Sequence, residues 1–103
     1  MLSTGEQLRK LRESHGLPLR KVAATLDIDT SILSKIERGE RTASRAQILI
    51  LARMFNTNEK DLLLNYLSDK VLYELADEDL AAEALKVAEK KIIYRKKQHL
   101  EKL

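Results

Sequence analysis

Cysteine is absent from the 103-residue sequence, which also contains only one proline and three glycines. Without cysteine the chain can form neither disulfide bonds nor thiolate metal sites, and it has no thiol nucleophile. The two histidines, His15 and His99, lie in separate segments without a neighbouring cluster of carboxylates at ligand spacing. We therefore expect no metal and no cofactor. Because no nucleophile, base and orienting group converge in the pattern, we also expect no enzymatic activity.

Long apolar runs are missing as well. No segment approaches the ~20 apolar residues of a membrane-spanning helix, and the opening MLSTGEQLRK does not have the pattern of a secretory signal. These absences predict a cytoplasmic protein with no membrane partner. The scarcity of proline and glycine, together with helical periodicity almost throughout, predicts an all-α fold.

Cap and turn residues divide the N-terminal part of the sequence into short helices. Ser3 or Thr4 is placed to cap a first helix that stops at Gly16, and Pro18 is placed at the start of a second helix. The apolar residues of the second helix recur at helical spacing up to Leu26. Two helices are therefore predicted before residue 27.

A turn of only two residues, Asp27 and Ile28, separates the second helix from a third. Asp29 is placed to cap the third helix by accepting from its exposed amides, and Gly39 is placed to end it in the left-handed conformation. Helices joined by so short a turn cross steeply. The second helix therefore supports the third, and the third projects from the domain.

The third helix has two chemically distinct faces. Leu33 and Ile36 lie on one face, which requires a core to cover it. The opposite face combines short hydroxyls with long cations and contains no acid: Thr30, Ser31, Ser34, Lys35 and Arg38. A face rich in hydrogen-bond donors fits an acceptor-rich partner, and an ordinary solvated face is the alternative.

The segment LRKVAATLDIDTSILSKIERGER resembles the helix-turn-helix of the phage repressor and Cro type, the XRE family. LRKLRESHGL is similar to the first helix of that family, and SRAQILILARMFNTNEKDLL is similar to its fourth and fifth helices. The resemblance covers roughly residues 3–67. It implies a five-helix, λ-repressor-like DNA-binding domain over residues 1–67, with an additional C-terminal helix in the extension 68–103.

Three positions depart from the usual pattern of the family. Leu19 stands where the family usually has a glutamine that touches a phosphate, and leucine cannot donate a hydrogen bond there. Asp27 replaces the usual glycine of the turn, although aspartate tolerates the left-handed conformation better than most residues. Ala43 replaces a proline that is common before the fourth helix.

The resemblance places the outer face of the third helix in the major groove of double-stranded DNA. The residues it implies at base edges are Thr30, Ser31, Ser34, Lys35 and Arg38. Those it implies at backbone phosphates are Arg12, Arg20, Arg41, Thr42, Ser44 and Arg45. Arg12 and Glu37 also correspond to positions where the family keeps an internal ion pair between the first and third helices.

The last third of the sequence has more apolar surface than one small domain can cover. As a helix, EKDLLLNYLSDKVLYELA is apolar on two faces. Asp77 is placed to cap a final helix, with Glu78 and Asp79 in its first turn. That helix can cover the second face in its own chain or in a partner, and a two-fold homodimer is expected. The expected interface residues are Leu67, Val71, Leu75, Leu80 and Val87.

Beyond Ala88 basic residues accumulate and the apolar pattern thins. A solvated helical tail, a contact between subunits and an additional phosphate contact all remain open for this segment.

Together these features predict a sequence-specific transcriptional regulator that acts as a homodimer on a two-fold DNA operator. The resemblance also suggests the controller proteins of restriction-modification systems, which are short stand-alone members of the family. One alternative from another class stays open. In it, the chain is an antitoxin-like interaction protein whose C-terminal helices bind a partner protein while the helix-turn-helix autoregulates the pair.

Overall fold

The computed structural model describes residues 1–102, and over these residues the regular secondary structure is entirely helical. The helices are α1 (Thr4–Ser14), α2 (Leu19–Leu26), α3 (Thr30–Glu37), α4 (Arg45–Met54), α5 (Glu59–Leu75) and α6 (Ala81–Glu101). The predicted all-α class, with five helices and an additional C-terminal one, is confirmed. The chain divides into two compact units, Met1–Val71 and Leu72–Leu103.

The core of the first unit takes side chains from each of its five helices. On α3, Leu33 is 1% exposed and Ile36 is 4% exposed, so the inner face of this helix is buried. Removing a leucine or isoleucine side chain from water stabilises a fold by about 1.5–3 kcal/mol. These two residues therefore hold one face of α3 inward, and the opposite face is left to solvent. Leu19, at the start of α2, packs against the same core.

Side-chain caps begin three of the helices, and at α5 the cap is Asn58 Oδ1, which accepts from the amide of Asp61 at 3.0 Å. Ser3 precedes α1, and its hydroxyl accepts from the amide of Glu6 at 3.2 Å. Ser44 and Gln47 form a reciprocal capping box at the start of α4, in which each side chain accepts from the backbone amide of the other residue. Such a box satisfies two amides that no helical carbonyl can reach. The start of α4 is thus determined locally.

The turn between α2 and α3 is compact because Asp27 adopts the left-handed conformation, with φ 55° and ψ 46°. Asp29 occupies the N-cap position of α3, but the prediction that its carboxylate caps the helix is wrong, since its side chain makes no capping hydrogen bond. Only its backbone carbonyl accepts, from the amides of Ile32 and Leu33 at 3.0 and 3.2 Å. Asp29 is exposed, so solvent can satisfy its carboxylate. Past the end of α3, Gly39 has φ 78°.

The start of α6 also differs from its prediction. This helix begins at Ala81, with Leu80 in the N-cap position, and not directly after Asp77. Two backbone hydrogen bonds account for the difference: the amide of Glu78 donates to the carbonyl of Leu75 at 3.0 Å, and the amide of Ala81 donates to the carbonyl of Glu78 at 3.1 Å. The chain makes a turn before it becomes helical, so Asp77 is not a cap. No residue of α6 is buried.

Candidate nucleic-acid interface

The solvent side of α3 displays the residues predicted to contact bases. Four of them are exposed and Ser34 is half-buried: Thr30, Ser31, Ser34, Lys35 and Arg38. The other side of α3 packs against α1 and α2. A helix of eight residues is about 12 Å long, which is comparable to the width of the DNA major groove. Its hydroxyl, ammonium and guanidinium donors complement the acceptors at base edges.

An ion pair between α1 and α3 holds the C-terminal end of α3. Arg12 Nε donates to Glu37 Oε2 at 2.8 Å, and Arg12 Nη2 donates to Glu37 Oε1 at 3.0 Å. Arg12 Nη1 donates to the carbonyl of Leu17 at 3.0 Å. The hydrogen bond with Glu37 raises the pKa of the Arg12 guanidinium, against the opposing effect of burial. The paired side chains are only 13% and 6% exposed, so the contacts of Arg12 fit a brace better than a phosphate ligand.

Gly5 allows α1 to approach the same end of α3 closely. A Cβ atom placed on Gly5 would run into the carbonyl oxygen of Ile36 and would lie 2.7 Å from the carbonyl oxygen of Glu37. These neighbours are backbone atoms, which cannot rotate away as a flexible side chain can. Only a residue without a side chain permits this approach, so Gly5 and the Arg12–Glu37 pair together determine where α3 ends.

Three hydrogen bonds hold the guanidinium of Arg38, the C-cap residue of α3. Its Nε and Nη2 donate to the two carboxylate oxygens of Glu40 at 3.2 and 3.1 Å. Its Nη1 donates to the hydroxyl of Ser34 at 2.5 Å. Hydrogen bonding within the ion pair raises the pKa of Arg38 and lowers the pKa of Glu40, with their mutual Coulombic attraction as the second cause. Both groups are therefore charged at neutral pH.

Apart from Arg12, the residues predicted to contact phosphates lie near the starts of two helices. They are Arg20 in α2, and Arg41, Thr42, Ser44 and Arg45 around the start of α4, and all of them are exposed. The amide of Ser44 donates to Gln47 Oε1 at 2.9 Å. That amide is consequently occupied within the capping box, while the hydroxyl hydrogen of Ser44 can still be donated to an anion.

Sequence reasoning missed three residues that shape this region. No role was assigned to Glu40 from the sequence, although its position two residues after Arg38 was a usable signal. The close approach at Gly5 had no local signal, because the atoms it meets belong to another helix. Asp69, on α5, accepts from the amide of Thr4 at 2.8 Å. This contact ties the start of α1 to α5, and nothing near either residue in the sequence predicts it.

Other kinds of site find no support in residues 1–102. No helix in this range combines the length and the apolar character that crossing a membrane requires. The same residues contain no group of three or more histidines and carboxylates able to hold a metal ion. The exposed face of α3 and the basic residues beside it thus form the candidate site with the clearest chemistry.

A family model described as a helix-turn-helix domain matches residues 4–64. Among solved structures, the restriction-modification controller protein C.AhdI from Aeromonas hydrophila is 34% identical to the chain, over 57% of this chain and 89% of that one, with a TM-score of 0.52. The clp gene regulator ClgR from Corynebacterium glutamicum is 27% identical, over 82% of this chain and 88% of that one, with a TM-score of 0.55. No curated protein sequence matches significantly.

Proposed function

Because the chain belongs to the helix-turn-helix family of XRE-type regulators, we propose that it regulates transcription as a homodimer on a two-fold operator in double-stranded DNA. The observation that carries the proposal is the exposed donor face of α3, held in place from behind by a buried face. In helix-turn-helix proteins the second helix of the motif enters the major groove. The face of α3 would then read base edges directly.

Base contacts are assigned by the chemistry of the side chains. Lys35 can donate to guanine O6 or N7, and the hydroxyls of Ser31 and Ser34 can donate to several acceptors. The methyl group of Thr30 can pack against the methyl group of thymine. Arg38 adds a planar guanidinium whose fork matches the two acceptors of guanine. Such contacts specify sequence, whereas phosphate contacts position the protein.

Phosphate contacts are assigned to exposed cations that precede and follow α3 in the chain. Arg20 lies in the first turn of α2, and Arg41 and Arg45 lie in or directly after the loop that precedes α4. Thr42 and Ser44 add hydroxyl donors in the same loop. Cations and donors spread in this way can follow the backbone on both sides of a groove.

The homodimer is proposed because one domain reads only one half-site. Two copies bind half-sites one helical turn, about 34–36 Å, apart and so combine their contacts. Exposed apolar side chains in each unit can contact the second copy. In the first unit, Leu67 is 43% and Val71 is 40% exposed; in the second, Leu80 is 62% and Val87 is 50% exposed, with Leu75 half-buried. A partner protein on the same side chains, as in an antitoxin, is the competing outcome.

A narrower proposal follows from one of the similar structures. C.AhdI is by name a restriction-modification controller, and it is 34% identical to this chain. We propose the same context for this chain, which makes a methyltransferase and an endonuclease the expected products of neighbouring genes. A short toxin gene beside it would favour the antitoxin alternative.

Selection of binding sites from random duplex DNA tests the main proposal. The wild-type chain should select a motif with two-fold symmetry and half-sites about 10 base pairs apart. Lys35→Ala and Ser31→Ala should each relax preference at defined half-site positions, by about 1–3 kcal/mol against the best site. Lys96→Ala, which removes an equal charge from α6, serves as the control and should select the wild-type motif. Selection of no motif by the wild type would refute the proposal.

A further inference from the structure

Arg38 stands out among the residues proposed to contact bases because its guanidinium is already held. The Glu40 carboxylate accepts two hydrogen bonds from it, at 3.2 and 3.1 Å, and the Ser34 hydroxyl accepts one from its third nitrogen at 2.5 Å. Lys35 also acts on the Glu40 carboxylate, but through its charge and more weakly than Arg38 does. Since a long arginine side chain normally samples many rotamers, this contact selects one orientation of its planar fork.

The three hydrogen bonds leave Arg38 able to bind a further partner. A guanidinium has five N–H groups, and one on each of the two terminal nitrogens remains after the bonds to Glu40 and Ser34 are made. Guanine offers O6 and N7 as acceptors in the major groove, and both remaining N–H groups can donate to acceptors of this kind. The hydroxyl of Ser34 accepts from Arg38, so its own hydrogen can still be donated to a base.

Stability gives little reason for the Arg38–Glu40 pair. Its side chains are 52% and 54% exposed, and ion pairs exposed to that degree contribute little to folding because water screens them. An acid at this place also opposes the approach of DNA phosphates. A contact that adds little to folding and repels the ligand requires another benefit, and orientation of Arg38 supplies one.

On the basis of the DNA-binding function proposed above, we propose that Glu40 is a positioning residue for base recognition. It orients the guanidinium of Arg38, with Ser34 as a second support, so that Arg38 recognises one guanine in each half-site. Glu40 itself touches neither base nor phosphate. Glu40 therefore strengthens binding to operators that contain this guanine and not to all DNA sequences alike. The reason is that it lowers the free-energy cost of ordering Arg38 at the guanine.

The test compares dissociation constants for two duplexes, the selected operator and the same operator with the guanine that Arg38 contacts replaced. The guanine is located first, as the operator position at which Arg38→Ala loses the preference of the wild type. For a bidentate contact, discrimination at that position should fall by about 5- to 150-fold. Glu40→Ala should lower the discrimination at that position by about three- to tenfold. Glu40→Gln, which retains one acceptor oxygen, should fall between Glu40→Ala and wild type.

Glu13→Ala is the matched control. Glu13 forms an exposed ion pair with Arg9 at 2.9 Å, so its removal changes the net charge equally without touching Arg38. It should leave the discrimination at the guanine unchanged. Glu40→Ala should shift the urea midpoint no more than Glu13→Ala does, which a merely structural role of Glu40 would not allow. The double variant Arg38→Ala, Glu40→Ala should discriminate no worse than Arg38→Ala alone.

Several outcomes would overturn this assignment. Unchanged discrimination in Glu40→Ala would mean that Arg38 reads the base unaided. Increased discrimination would make Glu40 a competitor for Arg38. If Arg38→Ala kept the wild-type base preference at every operator position, Arg38 would be assigned to a phosphate contact and not to a base contact. These results differ from failure of the wild type to select any motif, which would refute the proposed function itself.

Discussion

Arg12 and Glu37 face each other across the junction of α1 and α3, joined by two parallel hydrogen bonds of 2.8 and 3.0 Å. The carboxylate belongs to the last residue of α3, so the pair sets the position of the end that carries Arg38. Because both side chains are nearly buried, removal of either partner leaves a charge that solvent reaches poorly.

Glu37→Ala should therefore lower the free energy of unfolding by about 3 kcal/mol, measured by urea denaturation. The reason is the guanidinium of Arg12, which would lose its carboxylate without regaining full hydration. Glu13→Ala breaks the exposed pair with Arg9 and should cost less than about 1 kcal/mol. Equal effects of the two substitutions would show that the buried pair contributes no more than a surface one.

Gly5→Ala should destabilise the fold, although alanine is normally the better helix former. In an exposed helix the change would gain up to about 1 kcal/mol, but the added methyl group would press on the backbone of Ile36 and Glu37. Overpacking of this kind costs about 1–3 kcal/mol. DNA affinity should fall as well, because α3 must shift.

Calorimetry and operator titration can test the Gly5→Ala prediction together. Gly16→Ala provides a contrast, since Gly16 has φ 64° but no atom within 4 Å of an added Cβ. That change should reduce stability through backbone strain alone and leave operator affinity intact at temperatures where the variant is folded. If Gly5→Ala bound the operator as tightly as the wild type, the prediction that the added methyl group displaces α3 would be wrong.

The salt dependence of DNA binding should locate the phosphate contacts. Each phosphate neutralised on duplex DNA contributes about 0.9 to the slope of log affinity against log salt concentration. Arg45→Ala and Arg41→Ala should thus weaken binding to all sequences alike and make the slope shallower by about one unit per half-site.

Lys96→Ala and truncation after Ala88 serve as the comparison in a KCl titration. Both remove positive charge from α6, the truncation more than any single substitution. If the basic half of α6 is only solvated, neither change should alter the slope, and the truncation should affect dimer stability alone. A slope that falls with the truncation but not with Arg45→Ala would assign the phosphate contacts to α6.

Sedimentation equilibrium should detect a dimer at micromolar concentration without DNA. Val87→Glu should weaken it by at least about tenfold, because a buried unpaired charge is costly at an apolar interface. Ile93→Glu is the control: Ile93 is 59% exposed and lies about 120° around α6 from Val87. A monomeric wild type, or equal effects of the two substitutions, would contradict the proposed interface.

Some of this protein was predictable from neighbouring residues alone. The two faces of α3 follow from a period of 3.6 residues per turn, which depends only on backbone geometry. The capping box of Ser44 and Gln47, and the left-handed Asp27, involve atoms only a few residues apart. The five-helix arrangement was predicted through resemblance to a family, because periodicity alone does not say which helices meet.

Only the tertiary structure decided the remaining contacts that hold α1 and α3 in place. The approach of Gly5 to Ile36, and the bond between Asp69 and the amide of Thr4, join segments that are distant in the chain. The start of α6 was misplaced because the chain first makes a backbone turn, in which the amides of Glu78 and Ala81 donate to the carbonyls of Leu75 and Glu78. In each case the sequence offers several possible partners for a group. Tertiary packing decides among them, because it brings only some atoms within hydrogen-bonding or contact distance.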